Sequence, residues 1–306
     1  MDSNRFYQDM TYRLECYGKR EYPVLVPKGK KINPLDSQMK IVIPTYMRED
    51  CKRLVYDQLP DDLKEITYLF TKESRVPFLK KRFPKANIIP LPEETHGIAD
   101  TRQRVLDYFP DSKLWMIDDQ VKLQKRGADF RVIGWATGEE IHEMYDWISY
   151  CLDFFPEVGV SGRPGNDKYK EPYKENGRCY TCQGLRTDVL KEAGVTFSGM
   201  WKETGVIFLE DFYLTLSLLG KGYSNIVIYD FVSDSEHGQK GGNSVLRNVE
   251  NNNEAWKCLA KTFPGLVKLR TVEGNSWHGD MNTTRYEGTV SWAKAFTAAK
   301  PKGALF

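Results

Sequence analysis

Short apolar runs alternate with amphipathic stretches between residues 39 and 117. The first run, Ile41-Val42-Ile43, is β-branched and unbroken and stops at Pro44, which is typical of a strand buried on both faces. Further strands are predicted at 65–70, 87–91 and 113–117, and helices at 49–58, 74–83 and 98–108. Strands that alternate with helices of about ten residues indicate βαβ units. The pattern predicts an α/β fold with a mixed, mainly parallel sheet flanked by helices, and a ligand site at the carboxyl ends of its strands.

Beyond residue 118 the periodicity is weaker. Helices are predicted at 139–155, 209–219 and 252–263, a strand at 225–232, and a long loop rich in Gly, Pro, Asn and Lys at 159–178. Such a loop in a compact domain is typical of a lid or an acceptor-binding element. We expect an N-terminal arm at 1–38 with one short strand at 22–26, a main domain at 39–237, and an extension at 238–306 that packs on the same domain and is irregular after its helix.

The composition narrows the class of protein. Charged residues make up 28% and hydrophobic residues 41% of the 306 positions, and the mean hydropathy is −0.54, which excludes a disordered, collagenous or membrane protein. The N-terminus has no apolar signal segment, so we expect a cytoplasmic protein with no membrane partner. Six cysteines are too sparse for a disulfide framework, and the lone Cys179/Cys182 pair is interpreted as buried thiols rather than a zinc site. A net charge of +2 neither requires nor excludes a polyanionic partner.

The strongest candidate for chemistry is Asp118-Asp119-Gln120, which follows the predicted strand at 113–117 directly. Two adjacent carboxylates at the end of a buried strand repel each other, and a divalent cation with oxygen ligands offsets that repulsion. An ion of this kind could carry a diphosphate. The alternative is that the aspartates only begin a turn or cap a helix, where Asp is also favoured.

A second acidic pair and one histidine are further candidates. Glu210 and Asp211 stand at the start of the helix at 209–219, where they either stabilise the helix dipole or, if they face a cleft, act as a general base. His237 follows the strand at 225–232 and is either a metal ligand or a surface residue.

Basic and aromatic residues are interleaved in the predicted loop. Arg163, Lys168, Tyr169 and Tyr173 have the side chains that hold an unstacked base and its flanking phosphates, and residues 240–247 are similar in makeup. A solvated loop would also have this composition.

Taken in chain order, these segments resemble the GT-A (Rossmann-like) glycosyltransferases, especially the family 2-like members. The resemblance extends over residues 39–240 and is carried by the strand and turn Ile41 to Arg48, the segment His96 to Arg102, the acidic motif Asp118-Asp119-Gln120, the segment Gly184-Leu185-Arg186 with Gly194, the pair Glu210-Asp211 with Gly220 and Gly222, and His237. Gln120 replaces the second acid of a strict DxD motif, so we align the doublet with the related EDD form instead.

The resemblance implies a metal-dependent transfer of sugar from a nucleoside diphosphate sugar, with UDP-sugar as the expected donor and Mn²⁺ or Mg²⁺ as cofactor. Asp119 and His237 would hold the metal, and Asp211, with Glu210 in support, would be the catalytic base. The donor would be bound by Pro44, Thr45, Tyr46, Arg48, Arg102 and Asp118.

A narrower resemblance is to the phage enzymes associated with TET-type oxygenases, which glycosylate 5-hydroxymethylpyrimidines in DNA. It implies a DNA acceptor bound by Arg163, Lys168, Tyr169 and Tyr173, and action in the host cytoplasm. Two alternatives remain open: the same fold acting on a glycan or protein acceptor, and a GT-A-like binding module without catalysis.

Overall fold

The structure, a computed structural model, describes residues 22–48, 51–162, 171–206, 208–235, 248–273 and 284–299. The strands are β1 Lys40–Pro44, β2 Thr67–Lys72, β3 Asn87–Leu91, β4 Lys113–Ile117, β5 Val121–Arg126, β6 Val132–Trp135, β7 Glu157–Gly162, β8 Tyr173–Glu175, β9 Cys182–Arg186, β10 Ile226–Ser235, β11 Val267–Val272 and β12 Arg285–Val290. The helices are α1 Asp61–Glu65, α2 Val76–Arg82, α3 Gly97–Tyr108, α4 Gly138–Cys151, α5 Thr187–Ala193, α6 Gly199–Thr204, α7 Glu210–Gly220, α8 Val249–Thr262 and α9 Trp292–Ala299, with 3₁₀ turns at Val55–Gln58 and Glu73–Arg75.

One ten-stranded sheet organises the molecule, in the order β3-β2-β1-β4-β9-β7-β10-β5-β6, with β8 paired to β10. Strands β1 to β4 are parallel, and β7 is parallel to β10. Only β5, β8 and β9 of this sheet run against the common direction. The predicted α/β class, a mixed sheet flanked by helices, is confirmed.

The two strands that precede the site lie side by side at the centre of the sheet. Ile41 of β1 pairs with Trp115 of β4, and both strands are almost fully buried. Because the strands are parallel, the turn after Pro44 and the doublet after Ile117 both lie at the carboxyl ends of the strands, at the same end of the sheet's strand axis.

Each face of the sheet has its own core. Trp115 and Ile117 pack with the α4 side chains Trp147 and Ile148 on one face. On the other face, alternate residues of β4 pack against α3, α5 and α7: Leu114 and Met116 contact the cluster that contains Leu106, Leu190 and Leu214. By the same alternation, Asp118 continues the row that faces α3 and α7.

The C-terminal elements pack on the outer side of α7. Phe212 of α7 stacks edge-on against Trp256 of α8 at 5.1 Å, and Phe296 of α9 belongs to the same cluster. Strands β11 and β12 form a separate antiparallel pair beside α8. Among the residues described, no helix has the length and apolar character required to cross a membrane.

Four local predictions were wrong. Residues 22–26 form no strand, and Tyr22 stacks on Trp147 with ring centroids 4.8 Å apart. The expected loop at 159–178 begins within β7 and contains β8, and the irregular tail contains β11, β12 and α9. Within the described part of 49–58, only the 3₁₀ turn Val55–Gln58 is helical.

Candidate active site

The acidic doublet is held in place by its backbone. The amide of Asp118 donates to the Thr181 carbonyl at 2.8 Å, and the amide of Val55 donates to the Asp119 carbonyl at 2.8 Å. These bonds tie the end of β4 to the chain before β9 and to the 3₁₀ turn after β1. The two carboxyl groups therefore start from a fixed backbone.

The Asp119 carboxyl is buried beneath the turn that follows β1. Arg48 lies beside it, with Nε 3.5 Å from Oδ2. Burial raises the pKa of Asp119 to about 6, against the opposing effects of Arg48, the Thr45 hydroxyl and the Tyr46 backbone. Thr45, Tyr46, Arg48 and Asp119 thus form one half of the site.

Arg102 of α3 joins the two acidic doublets. Its Nη2 donates to Asp118 at 2.6 Å, and its Nη1 donates to Glu210 at 2.8 Å. The Arg102 side chain is only 4% exposed. Burial alone would lower the pKa of Arg102, but Asp118 and Glu210 raise it above its usual value, so the guanidinium stays charged. A charged guanidinium that donates to two carboxylates forms strong, directional hydrogen bonds.

Asp211 is held by a second arginine. Nε and Nη2 of Arg178 both donate to Asp211 Oδ2, at 3.1 and 2.8 Å. The Arg178 guanidinium lies 4.0 Å from the ring centroid of Phe212 and 4.5 Å from that of Tyr180. Two aromatic rings therefore orient the cation that orients Asp211.

The start of α7 is strained at the point where its acids enter the site. Leu209, the residue before Glu210, has φ +63°, and Met47, in the turn after β1, has φ +55°. Non-glycine residues rarely adopt this region of backbone dihedral angles and do so at an energetic cost, commonly at functional sites.

At α7 the helix N-terminus also favours the ionised form of acids in its first turn. Burial nevertheless raises the pKa of Glu210, with Arg102 opposing the rise and Asp211 adding to it.

A fully buried carboxyl group lies behind the site. Glu157 of β7 accepts from the Thr215 hydroxyl and from the Asn225 amide, each at 2.8 Å. Burial raises the pKa of Glu157 to about 8, and Asp211 contributes to the rise. Glu157 and the contact of Arg178 with Asp211 were not identified from the sequence, since the partners are 33 or more positions apart along the chain.

The structure brings most of the sequence-predicted residues together. Pro44, Thr45, Tyr46, Arg48, Arg102, Asp118, Asp119, Glu210 and Asp211 lie on β1, β4, α3, α7 and the turns beside them. Tyr173 lies in β8, opposite Ile228 of β10, and packs against the core on the α4 face. Arg163, Lys168, Tyr169, His237 and the segment 240–247 lie outside the described residues.

The buried-thiol interpretation of the CxxC pair fits the structure. Cys179 and Cys182 are both fully buried free thiols, and burial raises the pKa of each. Cys182 accepts a hydrogen bond from the Trp115 indole at 3.1 Å.

The doublet has the donor atoms that a hard divalent cation requires. Within the described residues, no three His, Cys, Asp or Glu side chains converge as a set of metal ligands. Mg²⁺, however, is commonly bound through one or two carboxylates, with substrate phosphates and water completing its shell. Asp118, one-third exposed, and Asp119 fit this mode of binding.

A mixed α/β sheet whose central strand ends in an acidic doublet, with a second acidic doublet and three arginines around it, defines an α/β enzyme with a polar ligand site at the carboxyl ends of its strands. The chain belongs to the TET-associated glycosyltransferase family, whose family model matches residues 39–243, about two thirds of its 306 residues. The protein is therefore a glycosyltransferase, as the sequence predicted.

Two phage proteins are similar along most of their length. The chain is 22% identical over 249 residues to the beta-glucosyl-HMC-alpha-glucosyl-transferase of Enterobacteria phage T2, with 76% of this chain and 84% of that protein covered. The protein of the same name from Enterobacteria phage T6 matches with the same identity and coverage.

Two solved structures are also similar. The S. aureus TarS fragment 1–349 has a TM-score of 0.47 and 13% identity, covering 74% of this chain and 65% of that fragment, just under two thirds. The mannosyltransferase PcManGT from Pyrobaculum calidifontis, in complex with GDP-Man and Mn²⁺, has a TM-score of 0.49 and 13% identity, covering 84% of this chain and 72% of that one. Both TM-scores are below 0.5, so neither likeness defines the site.

Proposed function

We propose that the protein transfers a sugar from a nucleoside diphosphate sugar to the hydroxymethyl group of a modified pyrimidine in DNA, in the cytoplasm of the host cell. The observation that carries the proposal is the contact of Arg102 with both Asp118 and Glu210, which gathers the two acidic doublets into one site. The DNA acceptor is supported by the names of the two phage relatives, which combine glucosyl transfer with HMC, hydroxymethylcytosine.

The donor is proposed to bind at the turn after β1. Pro44, Thr45 and Tyr46 would shape the nucleoside pocket, with the Tyr46 ring available to stack on the base, and Asp118 would contact the ribose of a UDP-sugar. Arg48 is the nearest cation for the diphosphate on this side. Because Arg102 already bonds two carboxylates, we assign it to positioning the acids rather than to direct phosphate binding.

Mn²⁺ or Mg²⁺ is proposed to be held by Asp119, with Asp118 beside it and His237 as a further ligand. A bound divalent cation would act as a Lewis acid and neutralise charge on the departing diphosphate. Asp119 must be ionised to serve as a ligand, and Arg48 favours that form.

Asp211 is proposed as the general base. It would take the proton of the acceptor hydroxyl as that oxygen bonds to the anomeric carbon and the bond from this carbon to the diphosphate oxygen breaks. The nucleoside diphosphate then leaves, and the sugar stays on the acceptor. The two hydrogen bonds that Arg178 donates to Oδ2 hold the Asp211 carboxylate in one orientation.

The test is incubation of the purified protein with a panel of nucleotide sugars and DNA, followed by mass spectrometry of the digested nucleosides. The DNA acceptors are hydroxymethylcytosine DNA, glucosylated hydroxymethylcytosine DNA and unmodified DNA, each with Mn²⁺, with Mg²⁺ and with EDTA. We expect a hexose-sized gain on a modified base, absent from unmodified DNA and from the EDTA arm. Transfer to oligosaccharide or peptide but not to DNA would overturn the acceptor, and donor binding without any transfer or hydrolysis would favour a binding module.

A further inference from the structure

An aromatic surface is exposed on the edge strand β6, which pairs with β5, the strand that follows the acidic doublet in the chain. Strand β6 is the last strand of the sheet, and on it Ile133 is 66% and Trp135 43% exposed. Both side chains are exposed, although the register of β6 against β5 shifts between Val132 and Gly134, which leaves Ile133 as the extra residue of a bulge. We call Ile133 and Trp135, with Arg53 and Lys122, the Trp135 patch.

Two cationic side chains lie close to the Trp135 indole ring. The Arg53 guanidinium lies 4.1 Å from the Trp135 ring centroid, and the Lys122 ammonium lies 5.7 Å from it. Lys52 and Arg131 are exposed nearby, and Arg131 pairs with Asp129 at 3.7 Å. The patch therefore combines a large exposed ring with two cationic side chains, and Asp234 lies opposite Lys122 where β10 pairs with β5.

The patch is tied to the candidate active site at two points. Arg53 lies two residues before Val55, whose amide bonds the Asp119 carbonyl at 2.8 Å. Lys122 comes three residues after Asp119, at the start of β5. The side chain of Gln58 links these two segments by bonding the Val121 carbonyl at 3.0 Å and the Leu123 amide at 3.2 Å. The patch is thus rigidly placed next to the doublet.

We propose that the Trp135 patch binds the DNA strand beside the target base, an inference that rests on the proposed DNA acceptor. A backbone phosphate is held by Arg53 and Lys122, and the neighbouring base or deoxyribose packs on Trp135 and Ile133. The Arg53 guanidinium lies over the indole ring, and its N–H groups can donate to a phosphate oxygen. An enzyme that extracts a base from the stack needs such contacts to the flanking nucleotides.

The charge of the patch favours a polyanion over a protein partner. Lysine is depleted at the centre of protein interfaces, whereas here Lys122 lies 5.7 Å from the centroid of the exposed indole ring. Nucleic acid is recognised by this pairing of ring and cation, through stacking and phosphate contacts.

The test measures DNA affinity by fluorescence anisotropy on a labelled hydroxymethylcytosine oligonucleotide, over a range of salt concentrations. We expect Trp135→Ala to weaken binding by about fivefold or more, the effect of losing one stacked base. Arg53→Ala should weaken binding and reduce the slope of log affinity against log salt by about 1. Trp135→Phe, which keeps an aromatic ring, should recover most of the affinity.

A matched control lies at the other edge of the sheet. Phe78 of α2 is 52% exposed with the Arg75 guanidinium 4.8 Å from its ring centroid, and α2 packs beside β3. Phe78→Ala removes the same kind of exposed aromatic–arginine pair and should leave DNA affinity unchanged. Thermal unfolding of all variants checks that each is folded.

A small acceptor separates the patch from the proposed function. With 5-hydroxymethyl-2′-deoxycytidine as acceptor, Trp135→Ala and Arg53→Ala should transfer sugar as well as the unsubstituted protein, because no flanking nucleotide is present. Transfer to DNA that is equal in the unsubstituted protein and the patch variants would overturn the patch but leave the proposed function standing. Failure of the unsubstituted protein to bind or glycosylate any DNA would overturn both.

Discussion

Arg102 and Glu210 form a buried ion pair at 2.8 Å although they are 108 positions apart in the chain. The same guanidinium bonds Asp118 at 2.6 Å, so a single cation sets the spacing between the acid at the end of β4 and the acid at the start of α7. Removing one partner from a buried charge network leaves the other charges uncompensated, which costs more than the contact itself contributes. The geometry of the site therefore depends on this arginine.

Arg102→Lys is predicted to abolish most transfer. An ammonium is a point charge and cannot hold two carboxylates in the fixed fork geometry of a guanidinium, so the spacing between the two acidic doublets would no longer be fixed. Arg102→Ala should in addition lower the free energy of unfolding by about 3–5 kcal/mol. Steady-state kinetics and urea denaturation measure the two effects.

The matched control is Arg104→Lys on the same helix. Arg104 is one-third exposed and forms an ion pair with Asp100 at 3.3 Å, so its replacement should change both activity and stability little. Equal kinetics for Arg102→Lys and Arg104→Lys would show that the bridge does not organise the site.

Asp211→Asn is predicted to lower kcat by roughly 10²–10⁴-fold, the range expected for loss of a general base. Binding of the nucleotide sugar, measured by calorimetry, should remain, since asparagine keeps the size and one acceptor oxygen of the side chain. Glu143→Gln serves as the control, because it removes an acid paired with Lys125 on the opposite face of the sheet. Near-normal turnover by Asp211→Asn would refute the assignment.

The sheet could be predicted from the sequence where strands are buried and bounded by turn residues. The bounds of β3 and β4 agree with the prediction residue for residue. The second part of β7, from Gly159 to Gly162, falls in the segment predicted as a loop from its Gly, Pro, Asn and Lys content. Close packing against the strand leaves no room for a side chain at either glycine. A Cβ at Gly159 would lie 2.7 Å from the Cys179 sulfur, and one at Gly162 would overlap the Tyr180 side chain.

The candidate site shows the same limit. The two acidic doublets stand out locally because each follows or begins an apolar element. Arg178 and Glu157 do not stand out in the sequence. Their roles depend on hydrogen bonds with Asp211, Thr215 and Asn225, which form only in the folded chain. Arg48 was assigned to phosphate from its position, but its contact with Asp119 could not be predicted without the register of β1 against β4.

Arg48→Ala is predicted to shift the acid side of the activity profile to higher pH. The pKa of Asp119 is already raised to about 6 by burial, and Arg48 holds it down. Without this cation the pKa rises further, so a higher pH is needed before the ionised ligand forms. The measurement is kcat/KM against pH at a limiting Mn²⁺ concentration, where protonation of Asp119 competes with binding of the metal. Arg131→Ala, at a side chain 84% exposed, is the control, and an unmoved acid limb in Arg48→Ala would contradict the role of Asp119.

Glu157→Gln is predicted to flatten the dependence of stability on pH. Burial raises the pKa of Glu157 from 4.5 to about 8 in the folded protein. A carboxyl group with a raised folded pKa contributes its stability fully below the unfolded pKa and loses it as pH rises through the folded pKa. Each pH unit between the two values costs about 1.4 kcal/mol, so the loss by pH 8 is on the order of a few kcal/mol.

The glutamine introduced at this position cannot ionise, yet it can accept from Asn225 and donate to the Thr215 hydroxyl, which is able to accept as well as donate. Urea denaturation from pH 5 to pH 8 should therefore show a smaller fall in unfolding free energy for Glu157→Gln than for the unsubstituted protein. Glu143→Gln, at the ion pair with Lys125, should retain the slope of the unsubstituted protein. Parallel slopes for all three proteins would mean that Glu157 is ionised throughout this range, with its charge held by the Thr215 and Asn225 hydrogen bonds.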